Sequence, residues 1–302
     1  MRRAATRGKP VRDRFSLENR RAAARLLYSH FVDMKTYPLF LAFVLFRLMA
    51  AAQLPPPSTG PENMPPSTLT DEEKAAGWKM IFDGKNNQGL RGLTYNDFIN
   101  RGWKIEHGTL YCVKAIRDMG NVTGGHLITL EQYLDFEFSF EWKLAVSGKS
   151  GILYFAAGTP AKPVGHIYSI IDDVHHPDGL KGGPIKRTGS LYGIMAPSED
   201  KKLNGPDKWN EGRIVVQESH VEHWLNGEKV LDYTLGTPEF QKAVAASGIK
   251  GGPMFGKKFK TALVILDEGE EVEFRNLKVR PIPPVAAAGA APIKPGTAPV
   301  AR

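Results

Sequence analysis

The stretch IIDDVHHPDG, residues 170–179, holds three Asp and two His in ten positions. Carboxylates and imidazoles at such density can act as general acids and bases, and carboxylate oxygens are also the ligands that calcium takes. The spacing does not match the calcium loop of an EF-hand. A calcium ion or another divalent cation is therefore the weaker interpretation, and we assign no metal ligands.

Strand geometry separates the two adjacent carboxylates of this stretch. If the chain enters the stretch as a strand, Asp172 and Asp173 point to opposite faces, so only one of them can enter a groove. The other would cap the following turn, and Pro177-Asp178-Gly179 is typical of a turn. We expect one of Asp172, Asp173 or His175 to face a substrate. The alternative is a polar turn that satisfies its own backbone.

The elements that must position this stretch are strands. Residues 133–144, YLDFEFSFEWKL, alternate apolar and polar side chains without a break, which predicts a long half-buried antiparallel strand. His107-Gly108 and Asn226-Gly227 predict hairpin turns. Residues 238–247 predict a helix, and a capping box at 70–73 begins another short one. Further strands are predicted at 103–113, 151–157, 166–173, 189–195, 212–219, 221–235, 261–268 and 271–282.

Many short strands, few helices and long Gly/Pro-containing loops predict an all-β fold. The expected architecture is an antiparallel two-sheet β-sandwich or jelly roll with one or two short helices. The chain lacks a P-loop, a dinucleotide-binding glycine pattern, HExxH and G-x-S-x-G, which disfavours several nucleotide and protease chemistries. A single cysteine, Cys112, excludes an internal disulfide and a cysteine-rich zinc site, and we expect it to be a buried or half-buried thiol.

The positive charge of the chain is confined to its beginning. Eleven of the 40 Lys and Arg residues and three of the 32 Asp and Glu residues stand in the first 52 positions, so the remaining chain carries 29 of each sign. The domain therefore has no charge excess that would favour nucleic acid.

The beginning of the chain resembles an export signal. Residues 34–52 combine Lys35, an apolar run at 38–46 and Ala50 to Ala52, which predicts a signal peptide and a secreted or periplasmic protein. A short membrane anchor or an amphipathic helix is the alternative. We interpret 1–33 as a disordered product of an overcalled start, 53–69 as a Pro-rich linker, 70–282 as the β-sandwich domain and 283–302 as a disordered Ala/Pro tail. The apolar run is too short for a stable membrane span in the mature chain.

Eight stretches together resemble the family of 3-keto-disaccharide hydrolase-like domains, which have a concanavalin-A-like sandwich. Their order and spacing are more specific than any one of them. The stretches are GWKMIFDGK (77–85), WKIEHGTL (103–110), YLDFEFSFEWKL with GKSGI (133–144 and 148–152), IDDVHHPDG (171–179), TGSLYGIMAPS (188–198), KWNEGRIVVQ (208–217), VEHWLNGEKV (221–230) and VEFRNLKVR (272–280).

This resemblance implies a sugar-active protein that cleaves glycosides oxidised at C3. It acts as a hydrolase or a β-eliminating lyase with carboxylate acid/base chemistry, and a non-catalytic carbohydrate-binding module of the same fold is the alternative. A scaffold without a sugar ligand is a third possibility. The chain departs from the family pattern at Lys149 (usually Asn), at Ile167 and Ser169 (commonly Glu and Gln) and at 266–269 (commonly Gln-Asp-His-Gly).

Candidate site residues follow from the strand pattern and from the resemblance. The catalytic candidates are Glu141, which lies on the polar face of the long strand, and the group Asp172, Asp173 and His175. The substrate-binding candidates are Lys143, Tyr192, Trp209, Asn210, Glu222, His223 and Arg275. For several of them a purely structural role is the alternative. Glu141 can be a solvated sheet residue, His223 a satisfied core group, and Arg275 a partner in a surface salt bridge of little energetic value.

The start of the mature protein is directly testable. We expect N-terminal sequencing of the natural protein to begin near Gln53, because small residues at 50–52 follow the apolar run. A mature chain that retains Arg2 to Arg25 would contradict both the signal peptide and the overcalled start.

Overall fold

A computed structural model describes residues 67–98, 102–114 and 125–283. All of them belong to one compact unit, 61–302. The predicted signal peptide at 34–52, the segment 1–33, the linker up to residue 66 and the tail from residue 284 lie outside the described residues. No helix in the described ranges is long and apolar enough to cross a membrane.

Short strands dominate the domain. In the described ranges three α-helices accompany them, α1 (Asp71–Ala75), α2 (Pro177–Lys181) and α3 (Pro238–Ser247), with a 3₁₀ turn at Pro184–Lys186. The strands are β1 (Lys79–Phe82), β2 (Leu90–Gly92), β3 (Trp103–Glu106), β4 (Thr109–Cys112), β5 (Leu127–Thr129), β6 (Phe136–Leu144), β7 (Lys149–Thr159), β8 (Lys162–Ile171), β9 (Asn210–Gln217), β10 (His220–Leu225), β11 (Glu228–Thr234), β12 (Val264–Ile265) and β13 (Val272–Pro281).

The strands form two antiparallel sheets. The larger sheet has the order β11-β10-β9-β6-β13-β4-β3, and β1 also pairs with β13. The smaller sheet has the order β2-β5-β12-β7-β8. One apolar cluster contains residues of both sheets, among them Phe138 and Val279 of the larger and Ile152 and Tyr168 of the smaller. The predicted all-β sandwich is confirmed.

Strand β6 shows how the alternation produces this core. Its pattern places Phe136, Phe138, Phe140, Trp142 and Leu144 on one face, and all five are buried. The strand begins at Phe136 and not, as predicted, at residue 133. Leu134 is 43% exposed while Tyr133 is buried and bridges to Thr261, so the inward and outward positions are exchanged before the strand starts.

The two predicted hairpin turns, the helix at 238–247 and the capping box at 70–73 were confirmed. His107-Gly108 and Asn226-Gly227 both have positive φ at their two central positions, with φ of 51° and 78° in the first turn and 49° and 81° in the second. This geometry belongs to two-residue hairpins. Helix α3 has the predicted bounds, and Thr70 and Glu73 form the capping box of α1. Cys112 is a buried free thiol.

Two predicted strands were wrong in extent. Residues 189–195 form turns along the edge of β8, because Gly189 and Gly193 adopt φ of 83° and 75° and interrupt an extended path. The segment still bonds to that edge, since the Tyr192 amide donates to the Ile167 carbonyl. The strand predicted at 261–268 is reduced to β12, because the Leu263 amide bonds to the Thr129 hydroxyl instead of a ladder carbonyl.

A chain of buried hydrogen bonds crosses the core. His223 Nδ1 donates to the Gly189 carbonyl (3.0 Å), so its Nε2 accepts from the Tyr154 hydroxyl (2.7 Å). Tyr154 in turn accepts from Tyr233 (2.7 Å), and Tyr233 accepts from His166 Nδ1 (2.8 Å). Burial lowers the pKa of His223 to about 4 and that of His166, where the neighbouring His223 adds to the effect, to about 3.

These histidines predict a pH-dependent stability. In the unfolded chain these histidines have a pKa of 6.5, and they bind protons below that pH. In the folded protein the same rings stay neutral, so the free energy of unfolding falls as the pH decreases from 6.5 towards 4. The expected slope is up to about 1.4 kcal/mol per pH unit for each histidine. Urea titrations between about pH 6.5 and about pH 5, above the range where ordinary carboxylates titrate, measure it.

A matched pair of variants identifies the source of that slope. His223→Gln is expected to reduce the slope by one histidine's share, whereas His220→Gln, at a half-exposed position on β10, is expected to retain the steep slope. An unchanged slope in His223→Gln would contradict the assignment.

Candidate active site

The carboxylate of Asp172 organises the turn that follows β8. It is 4% exposed and accepts hydrogen bonds from the backbone amides of Ser147 (2.9 Å), Val174 (3.1 Å) and His175 (3.2 Å). Burial alone would raise the pKa of Asp172, but these donors together with the His175 ring outweigh it and lower the pKa. The carboxylate is therefore ionised at neutral pH, and the turn is held to the end of the β6–β7 connection.

Asp172 also orients the imidazole of His175. The two side chains are 2.7 Å apart between Oδ2 and Nδ1. Because a carboxylate only accepts, Nδ1 carries the proton, and the neutral ring has its lone pair on Nε2. The His175 side chain is 51% exposed, so this basic nitrogen is accessible. A histidine oriented by a carboxylate is the arrangement that serves as a general base in many hydrolytic enzymes.

A second group of polar side chains surrounds Asp178. Its carboxylate accepts from the Tyr192 hydroxyl (2.7 Å), Lys149 Nζ (3.0 Å) and Lys186 Nζ (3.1 Å). The hydrogen bond from Tyr192, followed by those from the two lysines, holds the pKa of Asp178 far below its usual range. Burial and the bond to Asp178 raise the pKa of Tyr192, so its hydroxyl stays protonated. We call Lys149, Asp178, Lys186 and Tyr192 the Asp178 cluster.

Asp178 lies in a helix and not in the turn that the sequence predicted. Pro177 and Asp178 open α2, and the amide of Asp178 donates to Nδ1 of His176, the N-cap residue (3.0 Å). Proline is favoured in the first helical turn because its missing N–H is not needed there. The start of this short helix directs the Asp178 carboxylate towards Lys149 on β7.

Lys149 is the cation at the centre of the Asp178 cluster. Its ammonium group lies 3.0 Å from Asp178, 3.6 Å from Glu268 and 4.9 Å from the centre of the Tyr192 ring. Burial would lower the pKa of Lys149, but Glu268 and Asp178 outweigh it and raise the pKa. The positive charge of Lys149 can stabilise an oxyanion, whereas the Tyr192 hydroxyl donates its only hydrogen to Asp178.

The Asp178 cluster and the Asp172–His175 pair lie at the same end of the sandwich. Apart from Lys149 on β7, their residues belong to one continuous segment after β8, and both groups contact residues 148 and 149 at the start of β7. The Asp172 amide donates to the Gly148 carbonyl (3.0 Å), next to Lys149. The structure therefore brings together Asp172, His175 and Tyr192 of the predicted residues, and it adds Lys149 and Asp178.

Glu141 lies on a different face. Its neighbours along β6, Phe140 and Trp142, belong to the core, so Glu141 points to the outer surface of the larger sheet. There it accepts from Arg275 Nε (2.6 Å) and Asn276 Nδ2 (3.0 Å).

Two further predicted residues, Lys143 and Trp209, share that outer surface. Lys143 pairs with Glu273 (2.8 Å), and the cationic groups of Arg275 and Lys143 lie 4.0 Å and 5.2 Å from the centre of the Trp209 ring. Together with Glu141 and Arg275 they form a group that does not meet Asp172 or His175.

The remaining candidates also have partners elsewhere. Asp173 accepts from the Thr188 amide (2.8 Å) and pairs with Lys201 (2.7 Å). Asn210 is buried and accepts from the Asn204 amide (2.9 Å). Glu222 accepts from Trp224 Nε1 (2.8 Å), and His223 belongs to the core chain described above.

Sequence reasoning missed the lysines of the Asp178 cluster. Lys149 is far from Asp178 along the chain, and only the packing of α2 against β7 joins the two. Lys186 is eight residues from Asp178 and reaches it from the 3₁₀ turn that follows α2. One signal was available, namely that Lys149 replaces the family's usual Asn immediately before Ser150-Gly151. In the described ranges no three His, Cys, Asp or Glu side chains come together as a metal site.

Apolar side chains cover the outer face of the smaller sheet beside the Asp178 cluster. Leu153, Val264 and Leu266 form a separate apolar cluster, against which Ile167 packs. Gly151 allows this packing, because a Cβ there would lie 2.8 Å from Cγ2 of Ile167. Two of the positions that depart from the family pattern, 167 and 266, thus contribute hydrocarbon to this face.

Comparisons with known proteins agree with the architecture and identify the family. Residues 77–280 match the family described as the 3-keto-alpha-glucoside-1,2-lyase-like domain. A 3-keto-disaccharide hydrolase from Bacteroides thetaiotaomicron is 30% identical over 232 residues, which cover 68% of this chain and 79% of that protein.

Two crystal structures from Parabacteroides distasonis, both described as candidate glycosyl hydrolases, share the fold. One has a TM-score of 0.62 at 27% identity and covers 72% of this chain and 100% of that chain. The other has a TM-score of 0.51 at 22% identity, covers 68% and 99%, and speaks for the fold alone. On the match over 77–280 and the Bacteroides relative, the chain belongs to the 3-keto-alpha-glucoside-1,2-lyase-like domain family.

Proposed function

We propose that this protein cleaves glycosides whose sugar ring carries a ketone at C3, as a hydrolase or a β-eliminating lyase. The observation that carries the proposal is the family match over 77–280, together with a relative named 3-keto-disaccharide hydrolase. The accessible nitrogen of His175 and the cationic Asp178 cluster at one end of the sandwich support it, because the chemistry needs a base and an oxyanion stabiliser close together.

The chemistry begins at C2 of the oxidised sugar. The C3 ketone acidifies the C2 proton, and in the proposal Nε2 of His175 removes it while Asp172 stabilises the imidazolium that forms. The electron pair of the broken C–H bond delocalises onto the C3 oxygen as an enolate. It then returns to form the C1–C2 double bond as the C1–O bond breaks. The imidazolium gives its proton to the departing oxygen, and addition of water to the double bond completes hydrolysis.

Lys149 is proposed to stabilise the enolate oxygen, and Tyr192 holds the Asp178 carboxylate that positions Lys149. Lys149 and Tyr192 are both protonated at neutral pH, since the pKa of each is raised in the folded protein. Lys186 and Asp178 hold them in place, as the Asp178 carboxylate accepts from both Tyr192 (2.7 Å) and Lys149 (3.0 Å). Glu141 has no role in this proposal, because it lies on the outer surface of the larger sheet.

A non-catalytic carbohydrate-binding module is the second candidate function. The observation that favours it is the hydrocarbon at 167 and 266, where the resemblance leads us to expect polar groups. The partly buried Ile128 and Ile167 on this face offer hydrocarbon to the non-polar face of a sugar ring, whereas Leu153 and Val264 are buried. Asp178 already has three donors, so it is a poor base.

We also propose that the protein is exported and meets its saccharide in the periplasm or outside the cell. The support is the signal-like pattern at 34–52 and the even charge balance of the chain after residue 52. Nothing in this proposal requires nucleic acid or a membrane partner.

Replacing the proposed base tests the catalytic interpretation. His175→Gln is expected to lower kcat/KM on a 3-keto-glucoside by about 100-fold or more, because a general base contributes roughly that much. Its thermal midpoint should change little, since the ring is half-exposed. The measurement is steady-state turnover with a melt of each variant.

Glu141→Gln is the matched control for that experiment. It changes a predicted acid/base residue on the opposite face and should leave turnover intact. Loss of turnover in Glu141→Gln but not in His175→Gln would move the chemistry to the larger sheet. Saccharide binding without turnover would favour the module. Neither binding nor turnover across a broad glycan panel would contradict both sugar functions.

Replacing the cation tests the oxyanion role. Lys149→Gln is expected to lower kcat by about 100-fold with a smaller change in KM, because the charge acts mainly on the enolate and not on the ground-state ketone. Lys143→Gln is the control, since Lys143 is also a partly buried lysine in an ion pair but lies on the outer surface of the larger sheet. Equal losses in both variants would contradict a specific role for Lys149.

A further inference from the structure

Positive charge is concentrated in one segment of the chain after residue 52. Helix α3 and the loop that follows it, residues 238–260, contain five lysines and one glutamate, a net charge of +4. The remainder of the chain after residue 52 has 24 basic and 28 acidic residues, a net charge of −4. We call residues 238–260 the basic segment. The even charge balance noted above therefore conceals two parts of opposite sign.

Most lysines of the basic segment are exposed and unpaired. The four that are exposed and have no ion pair with any described residue are Lys242, Lys250, Lys257 and Lys260. The fifth, Lys258, pairs with Asp135 and is 18% exposed. Like charges that lie this close along the chain repel one another, and an opposite charge from outside the protein would relieve that repulsion. The four lysines thus favour a negatively charged partner.

Two aromatic side chains attach the loop of the basic segment to the core. The centre of the Phe255 ring lies 5.5 Å from that of His166, and the centre of the Phe259 ring lies 6.2 Å from that of Phe155. Gly251 permits the first contact, because a Cβ there would lie 2.2 Å from Cγ of Phe255. The loop is therefore a built part of the domain, attached at two points.

Apolar side chains stand beside the unpaired lysines. Met254 is 41% exposed and Ile249 is 36% exposed. The Lys257 amide donates to the Met254 carbonyl (3.1 Å), which brings this lysine next to the exposed methionine. An exposed apolar side chain among lysines is a combination that binds at the interface of an anionic bilayer. There the hydrocarbon enters the headgroup region while the ammonium groups contact phosphates.

The basic segment is less suited to other anionic partners. It contains no arginine, the residue that binds phosphate and carboxylate groups through two parallel hydrogen bonds. Single-stranded nucleic acids also need aromatic side chains on which bases stack, and both phenylalanines of the loop pack against the core. A free anion or an acidic polymer would leave the exposed Met254 side chain in water.

We propose that the basic segment docks the protein onto the surface of a bilayer that contains anionic phospholipids. The four unpaired lysines contact headgroup phosphates, and Met254 and Ile249 enter the interface between headgroups and acyl chains. The net charge of −4 on the remainder of the chain after residue 52 disfavours contact through other faces. The binding is peripheral, and it does not rest on the proposed function.

A spin label at position 254 reports on docking at the segment itself. Cys112 is buried, so a nitroxide reagent labels only the introduced cysteine of full-length Met254→Cys. On vesicles of phosphatidylglycerol we expect this label to lose accessibility to a water-soluble nickel complex and to gain accessibility to oxygen. On vesicles of phosphatidylcholine it should do neither. Val146→Cys is the control, because Val146 is 56% exposed in the β6–β7 connection and its label should stay in water.

Two sets of substitutions that remove equal charge test the lysines in the labelled Met254→Cys protein. Replacing the four unpaired lysines with Gln is expected to lower the ratio of immersed to water-exposed label by about 100-fold or more, since each lysine contributes about fivefold near an anionic surface. The control set has little effect. It replaces with Gln four other exposed lysines that have no ion pair in the described ranges, Lys85, Lys162, Lys181 and Lys208.

Other anions are compared in the same assay. Polygalacturonate, single-stranded DNA and inorganic phosphate should leave the label at 254 accessible to the nickel complex. The proposal is overturned if this label stays in water on phosphatidylglycerol vesicles, or if it enters phosphatidylcholine vesicles equally. It is also overturned if both lysine sets have the same effect, or if an acidic polymer restricts the label as strongly as the vesicles do.

Discussion

A buried carboxylate needs donors, and the way in which Asp172 obtains them determines the functional end of this sandwich. The donors are amides of its own turn, the amide of Ser147 and the ring of His175. The hydrogen bonds to the Asp172 carboxylate thereby stabilise the turn, attach it to the β6–β7 connection and orient the imidazole of His175. Removing the carboxylate would leave several of these donors unpaired, so the turn and the ring orientation depend on the same group.

Asp172 and Asp178, the first and last carboxylates of IIDDVHHPDG, have different roles because different donors surround them. Both have lowered pKa values, but for different reasons. Backbone amides dominate around Asp172, which leaves the oriented ring of His175 as the reactive partner. A phenol and two ammonium groups surround Asp178, which makes that carboxylate an anchor for a cation and a neutral donor. Neither carboxylate is itself suited to be the base. The proposed chemistry is carried out by the groups that they position, His175 and Lys149.

Much of the fold could be predicted because it rests on local patterns. The alternation of β6 and the glycine-containing hairpins depend on side chains and φ angles within a few residues. The predicted strands were wrong where hydrogen bonds to distant parts of the chain override the local sequence pattern. Residues 189–195 have strand composition, but two glycines turn the chain along the edge of β8. At β12, a Thr129 hydroxyl replaces a ladder partner and shortens the strand.

The candidate site was less predictable than the fold. Alternation predicted that Asp172 and Asp173 point to opposite faces of a strand, but β8 ends at Ile171, and both lie in the turn that follows, where each has its own partners. It could not show that Glu141 and Asp172 belong to different sheets, since both lie at polar positions near strand ends. Nor could it place Lys149 on Asp178, since that ion pair forms between elements that are distant along the chain.

The amino-acid sequence alone thus determined the all-β class, the inward face of β6, the hairpin turns and the resemblance to a sugar-active family. Each of these is a property of neighbouring residues or of their order. Only the tertiary structure decided which polar groups meet and that Asp178 is a charge anchor. The physical reason is that the partner of a buried charge or N–H group is chosen by how the two sheets and their loops close. That closure is a long-range constraint that local periodicity does not encode.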